Sequence, residues 1–548
     1  MEHRMSPAAR VARWIDAVIF DLARQMRWTF LPPLMVYFAA GFSGLTMIVG
    51  TFFVKEYLDL SAAFLAGLAF WAGLPWALKM PLGHLVDIMW RWKWLLVYLG
   101  AGLIALSVFI MYLLMTQTGM MTAIMPMGAW YVTSYLLAPS GLVIQDAVAD
   151  AMSVEAVPRF DETGAPLTPE TSRALHTTMQ TLGRFALISG TVAVALLNIT
   201  MFSGVEALDA EGKRAVYASI YLAALAIPLV SVSGVILAGV QKWRARRGLL
   251  GRGLSAAEAD ALFERSDEKT TPNPWYFIGG AGFVALSLTI GLSDVALGQE
   301  IIFAGSMAIV LLLMRQLVAV LPVAQARTLI GTALIIFIFR AVPRVGDGYT
   351  WFAIDALGFD QQFLSVLSLI ASLLTLVGMV ILRPLIANHT IVYVIVILTV
   401  AGGVLSLPNI GLYYGIQDIT APLTGGIVDA RFIAVMDTAL ESPLGQIAMI
   451  PMLAWIARNA PANLKATFFA VMASFTNLAL SASSLFTKYL NQIFVVTREV
   501  RDPVSGAVTT PADYSQLGLL ILIVSGLTVA LPLLAVALVQ KTRLRSVD

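Results

Sequence analysis

The sequence predicts an all-α polytopic membrane protein of about 14 spans, and three observations predict it. First, apolar residues make up 59% of the 548-residue chain and charged residues only 12%. A soluble domain carries about 25% charge. Second, mean hydropathy is +0.82, and the apolar residues gather in stretches of about 20, the length a helix needs to cross a bilayer core. Third, Lys and Arg are unevenly shared between alternate loops. This composition excludes a soluble globule, a disordered chain and a nucleic-acid binder. With 35 basic against 33 acidic residues, no overall field draws a charged polymer. There are 0 cysteines, so disulfides, thiol nucleophiles and Cys-ligated metals are ruled out. The only imidazoles, His3, His84, His176 and His389, lie far apart in sequence. No metal or cofactor is expected.

Residues 1–30 carry Arg4, Arg10, Arg13, Arg24 and Arg27 and lack a small-residue cleavage site, so they are not a signal peptide. Val11, Trp14, Ile15, Val18, Ile19 and Leu22 recur at helical spacing. That pattern predicts an amphipathic cytosolic segment lying on the membrane. Six spans follow, near 31–53, 62–83, 94–116, 124–150, 175–200 and 216–240. Together they form an N-terminal six-helix half, 31–240. A basic cytosolic linker, 241–275, comes next, with Lys242, Arg244, Arg246, Arg247 and Arg252. Ser255 and Glu258 within it read as a capping box for a short surface helix at 255–266. Two inserted spans, 276–294 and 299–321, occupy 276–321. The C-terminal half, 328–540, holds spans near 328–346, 361–386, 390–412, 430–457, 465–495 and 516–540, and a cytosolic tail, 541–548, closes the chain. The outer loops carry few cations (Lys55, Lys213, Arg214, Arg344, Arg431, Arg498, Arg501), so both termini are expected in the cytosol. Six spans, a basic segment and six more resemble the outline of a major facilitator, whose two halves rock about a midplane site.

Span two ends in Lys79, Gly83 and Asp87, four residues apart on one helical face. A glycine between a lysine and an aspartate predicts close approach of another helix at Gly83. Asp87 would cap or pair at the helix end, with Arg91 and Lys93 following at the surface. The pattern resembles the G-x-x-x-D loop motif of major facilitators, although Ile88 stands where a basic residue is usual. Interfacial charge is the plainer reading. Span four ends with Asp146 and Asp150 on one face and Glu155 roughly opposite. Two carboxylates one turn apart in a span need a cation, and Lys79 and Arg184 are the ones available in this half. We expect an ion pair of these groups to gate the inner side, with direct substrate binding by the carboxylates as the alternative.

At these residues the chain resembles the folate–biopterin transporter family of major facilitators. P-W-x-x-K-x-P-x-G-x-x-x-D over Pro75–Asp87 and D-x-x-x-D-x-x-x-x-E at Asp146, Asp150 and Glu155 carry the resemblance. In the second half it rests on Ala341–Asp347, Leu357-Gly358-Phe359, Asp437, Gly445, Pro451 and the run from Lys465 to Asn477. Two departures stand out: Lys465 replaces a usual acidic residue, and the inserted pair lies outside the usual twelve helices. Muropeptide and acetyl-CoA permeases share the Q-D-x-x-x-D stretch and are the alternative. The resemblance implies a secondary active transporter, and not an enzyme, moving an organic anion of folate or pterin type. No P-loop, HExxH or GxSxG motif argues otherwise.

The resemblance also brings spans 1, 2, 4, 5, 7, 8, 10 and 11 to one cavity. There Arg184 and Arg340 would fork onto substrate carboxylates. Tyr37, Phe42, Trp130 and Tyr131 are candidates to stack on a flat ring. Asp437 and Glu441, one turn apart before Pro443, would take a proton, because both cannot stay ionised cheaply. A plain salt bridge of Arg340 with either carboxylate is an equal reading. The expected partners are the anionic small molecule, protons and the lipid bilayer, in a bacterial inner membrane. From another class comes a non-transporting assembly factor for pigment–protein complexes.

Overall fold

The computed structural model describes residues 24, 26–58, 60–77, 79–158, 167–256, 258–259, 274–291, 295–319, 321–381, 389–442, 465–501 and 508–545. The amphipathic segment expected before residue 24 and most of the surface helix expected at 255–266 lie outside them. The capping box itself is formed. Ser255 N–H donates to Glu258 Oε2 at 2.8 Å, and Glu258 N–H donates to Ser255 Oγ at 3.2 Å.

The N-terminal half begins with α1 (Leu31–Phe42), entered through Pro32 and Pro33 where a missing N–H costs nothing. A 3-10 turn, Ser43–Thr46, leads into α2 (Met47–Tyr57). Then come α3 (Ala62–Ala77), α4 (Lys79–Ile88), α5 (Lys93–Thr116), α6 (Thr118–Ile124) and α7 (Met127–Ala156). Helix α8 (Pro169–Met201) starts under a Thr168 cap, and α9 (Ala210–Ala224) under an Asp209 cap. Helix α10 (Ala226–Gly251) carries the chain out of the half. The basic residues from Lys242 to Arg247 therefore ride on a helix that runs past the expected start of the linker. We call the end of the bundle that holds them the linker end.

The inserted pair is α11 (Pro274–Gly291) and α12 (Gly298–Val318). The C-terminal half follows as α13 (Val323–Arg340), α14 (Asp347–Asp355), α15 (Gln361–Ile381), α16 (Ile391–Leu405), α17 (Leu407–Tyr413), α18 (Ile416–Leu423) and α19 (Ala430–Glu441). It ends with α20 (Lys465–Ile493), a small hairpin of β1 (Val500–Arg501) and β2 (Val508–Thr510), and α21 (Leu517–Gln540). Among the described residues, 11 helical stretches are long and apolar enough to cross a membrane. The span expected at 276–294 appears as the shorter apolar helix Phe277–Gly291. The one expected at 430–457 is described only to Ser442. The 29-residue α20, rich in Ser, Thr and Asn, is not among the 11.

Close helix approaches set the positions of the functional side chains. A Cβ on Gly100 of α5 would stand 2.6 Å from Gly141 O of α7, and one on Gly141 would stand 2.5 Å from Gly100 O. Neither site admits a side chain. Gln145, one turn further along α7, donates to Val97 O at 3.1 Å and to Ser231 Oγ at 2.9 Å. These contacts hold α7 in the register that presents Asp146 and Asp150.

The two halves meet along α3 against α20 and α8 against α15. At the end of the bundle away from the linker, charged and polar groups join them. Lys55 Nζ is 2.5 Å from Asp355, and Tyr514 donates to the same carboxylate at 2.5 Å. Arg498 donates to the carbonyls of Lys55 at 3.0 Å and Leu60 at 3.2 Å. Gln361 donates to Tyr217 Oη at 3.1 Å, while Tyr217 donates to Glu56 at 3.2 Å. The inserted pair leans on both halves. Pro81 of α4 faces Gly280 of α11, and Gln299 of α12 donates to Gly67 O at 3.2 Å. Lys488 of α20 pairs with Glu300 at 3.1 Å. A cavity of about 370 Å³ opens at this junction, lined by Trp71, Gln299, Glu300, Lys488 and Tyr489 among others.

Candidate functional site

Two charged centres occupy the bundle, one in each half. The first lies toward the linker end of the N-terminal half. Asp146 and Asp150 are one turn apart on α7, so a single ammonium from α4 reaches both. Lys79 Nζ is 2.6 Å from Asp146 and 2.8 Å from Asp150. From α1, Tyr37 donates its hydroxyl to Asp150 at 2.7 Å. Arg184 on α8 lies within electrostatic range of Asp146. Its side chain is exposed, and among the described residues it has no ion-pair partner within 4.0 Å. The ion pair joins helices of the same half, so it braces that half rather than bridging the two.

Glu155 belongs to a separate pair. It lies 2.6 Å from Lys93, whose ammonium also sits 4.1 Å from the centre of the Trp90 ring. The close approach expected at Gly83 is not there. Among the described residues nothing comes within 4 Å of where its Cβ would stand. The tight glycines of span two are instead Gly67 and Gly73, which face Gln299 and Ser481 at 3.2 Å. Asp87 lies on α4, and its side chain falls outside the described residues, as does that of Lys465.

The second centre lies at the start of the C-terminal half. The expected span 328–346 is the helix Val323–Arg340. Arg340 therefore sits in the last turn, beside the loop 341–346, instead of mid-helix at the level of the carboxylates. The salt bridge expected with Asp437 or Glu441 is not formed. Among the described residues neither carboxylate comes within 4.0 Å of it, and Arg340 Nε is buried with no acceptor. Asp437 is held otherwise. Asn409 Nδ2 donates to its Oδ2 at 2.9 Å, and Tyr349 donates to Asn409 Oδ1 at 2.6 Å. Asp437 Oδ1 is buried without a partner. Glu441 is exposed and lies within electrostatic range of Arg344.

The match to the BT1 family model runs over residues 40–548. The chain belongs to the BT1 family. A folate-biopterin transporter of Synechocystis is 23% identical over 518 residues, 92% of this chain and 80% of that one. Folate transporter 2 of Plasmodium falciparum is 24% identical over 173 residues, 30% of this chain and 35% of the relative. Among solved structures, a POT family transporter in complex with 5-aminolevulinic acid superposes with a TM-score of 0.60 at 10% identity, covering 94% of this chain and 96% of that one. The nucleoside transporter NupG gives 0.51 at 12% identity, covering 94% and 100%. These likenesses establish the major facilitator fold. The BT1 chain is an integral, multi-pass membrane transporter of the folate-biopterin family, and its relatives are transporters of small molecules.

Of the aromatic candidates of this BT1 chain, Phe42, Trp130 and Tyr131 share one core cluster and Tyr37 belongs to another. Tyr37 is engaged by its hydroxyl, Phe42 stacks on Phe38 at 5.9 Å, and Trp130 Nε1 donates to Met121 O at 2.9 Å. Tyr131 lies 6.0 Å from Phe53 and 5.7 Å from Tyr135. Sequence reasoning missed the hydroxyl of Tyr37, the Tyr349–Asn409 relay to Asp437, and Arg344. It also missed Asp347, whose carboxyl is pushed above the usual carboxylate range by burial. Arg344 was within reach of sequence reading. It stands four residues after Arg340, inside the stretch that carries the family resemblance.

Proposed function

We propose that this BT1 chain is a secondary transporter of an organic anion of the folate or pterin type, working by alternating access and coupled to protons. The observation that carries the reading is Arg340, a guanidinium with a buried nitrogen and, among the described residues, no counter-ion. Such a partly buried group at a helix end carries a cost of about 1 kcal/mol that an anion would relieve for part of the cycle. Arg184, unpaired across the bundle, would serve the same ligand from the N-terminal half. Asp437 and Glu441 are the groups we assign to proton binding. Substrate at Arg340 would also neutralise Arg344, which lies in electrostatic range of Glu441, and so make protonation there easier. The polar contacts between the halves away from the linker end would be the closed gate of one state. Lys79, Asp87, Asp146, Asp150 and Glu155 would be parts of the gate and brace at the other end. The bias of Lys and Arg supports a bacterial inner-membrane orientation with both termini cytosolic.

The test is uptake into proteoliposomes of folate, pterins and anhydromuropeptides under an imposed proton gradient. We expect accumulation of a folate or pterin. Asp437→Asn and Glu441→Gln should leave exchange intact and abolish uphill accumulation. If both variants accumulate substrate as the parent does, coupling resides elsewhere. Uptake of muropeptides alone would replace the substrate assignment.

A further inference from the structure

The loop after α13 is tied down on both sides of Arg344. Three side chains four residues apart on one face of α20 hold it. Ser483 Oγ donates to Val342 O at 2.6 Å, Arg344 N–H donates to Thr487 Oγ1 at 2.9 Å, and Asn491 Nδ2 donates to Val345 O at 3.0 Å. Gly346 follows with φ +83°, where a side chain would be strained and would crowd Asn491 at 3.1 Å. The backbone that carries Arg344 is thereby fixed, and Arg340 ends the helix directly before it. The two guanidiniums lie within electrostatic range of each other.

Among the described residues neither has an ion-pair partner within 4.0 Å. Arg344 is exposed, and Arg340 has a buried, unpartnered Nε. Among the described acidic groups, Glu441 stands in range of Arg344 without pairing, and Asp437 accepts at one oxygen from Asn409. Two like charges held near each other, one of them partly buried, repel. A ligand with one negative charge relieves one of them; a ligand with two relieves both.

We propose that Arg340 and Arg344 form a twin-guanidinium site for a doubly charged anion. A planar guanidinium forks onto a carboxylate or a phosphate alike. The shared chemistry is therefore two negative charges in close reach, from a dicarboxylate tail or from a phosphate monoester. The inference rests on the transporter reading and narrows it. Pteroylglutamate carries a dicarboxylate tail; pteroate carries one carboxylate and an unmodified pterin none.

The test is equilibrium binding to the purified protein in lipid nanodiscs. One pair of probes is pteroylglutamate against pteroate, and the other is neopterin phosphate against neopterin. Within at least one pair the doubly charged member should bind about tenfold tighter, and the pair that shows it names the source of the charge. Arg344→Gln should erase that advantage and leave the less charged member unchanged. Thr487→Val, which loosens the loop without removing charge, should reduce it. The proposal is overturned if neither pair discriminates, if no probe binds, or if Arg344→Gln weakens both members equally. Uptake is measured in parallel. Discrimination without uptake of any probe would sink the transporter reading and keep the site. Uptake without discrimination would sink the site alone.

Discussion

The two charged centres are built on opposite plans. In the N-terminal half, Lys79 is shared by Asp146 and Asp150, and Tyr37 adds a third polar contact. In the C-terminal half, Arg340 and Arg344 stand without counter-ions among the described residues, while Asp437 keeps one buried oxygen unpartnered. A satisfied cluster inside a bundle fixes geometry, because removing any member strands the others. An unsatisfied one stores a cost that a ligand or a proton can relieve. The contrast fits bracing at the first centre and, under the proposed function, binding at the second.

Lys79→Ala gives the largest expected effect. It leaves two carboxylates one turn apart with no ammonium, at about 3 kcal/mol given that all three groups are partly exposed. Thermal unfolding in detergent should fall accordingly, with low yield of folded protein. The double change Lys79→Ala with Asp146→Ala should restore part of the loss. If removing either aspartate rescues nothing, the cluster is not a mutual brace and the contrast collapses.

Arg340→Met tests the other plan, and its signs are opposite. An unpaired, half-buried cation is replaced by an apolar chain of similar length. The empty protein should become more stable, by about 1 kcal/mol. Affinity for the anionic substrate should fall by at least about tenfold. Arg340→Lys should bind weakly as well, since an ammonium cannot fork. A variant that loses stability and binding together would mark Arg340 as a structural residue.

The same contrast shows what sequence alone could carry. Helix positions came from stretches of apolar residues, whose length reports the bilayer directly. The Lys79 pairing followed from matching depths on two helices whose ends are near the linker end. The centre in the C-terminal half was less legible because it depends on where a helix stops. Gln325 and Arg327 interrupt the apolar stretch, yet α13 starts before them at Val323, and five residues of drift moved Arg340 to its last turn. The Ser483, Thr487 and Asn491 ladder joins residues more than a hundred positions from the loop it holds. No local pattern announces such a partner. The far-end contacts of Lys55, Asp355 and Tyr514 likewise join three distant segments.

Those far-end contacts set a smaller expectation. Lys55 and Asp355 are 17% and 20% exposed and link the two halves. Such a pair is worth about 1 kcal/mol. Asp355→Asn should therefore shift the balance of states roughly fivefold toward opening at that end. The chain has 0 cysteines, so a single cysteine beside Leu60 gives a clean accessibility signal. Labelling should rise in Asp355→Asn and in Lys55→Ala alike. An unchanged rate in both would show that the pair decorates the surface and holds nothing shut.

Gly83 sets the smallest expectation and bears on the brace itself. It lies within α4, between Lys79 and the helix end, and no described atom would meet its Cβ within 4 Å. Alanine is the better helix former by up to about 1 kcal/mol. Gly83→Ala should therefore leave thermal stability unchanged or slightly raised, with normal uptake. Gly141→Ala is the control in the same half. Its new methyl would stand 2.5 Å from Gly100 O, so it should destabilise by about 1–3 kcal/mol through overpacking. If Gly83→Ala keeps its stability and yet loses uptake, the glycine is needed in another conformation of the cycle. The close approach expected from the G-x-x-x-D pattern would then belong to that conformation, and the linker-end centre would move as well as brace.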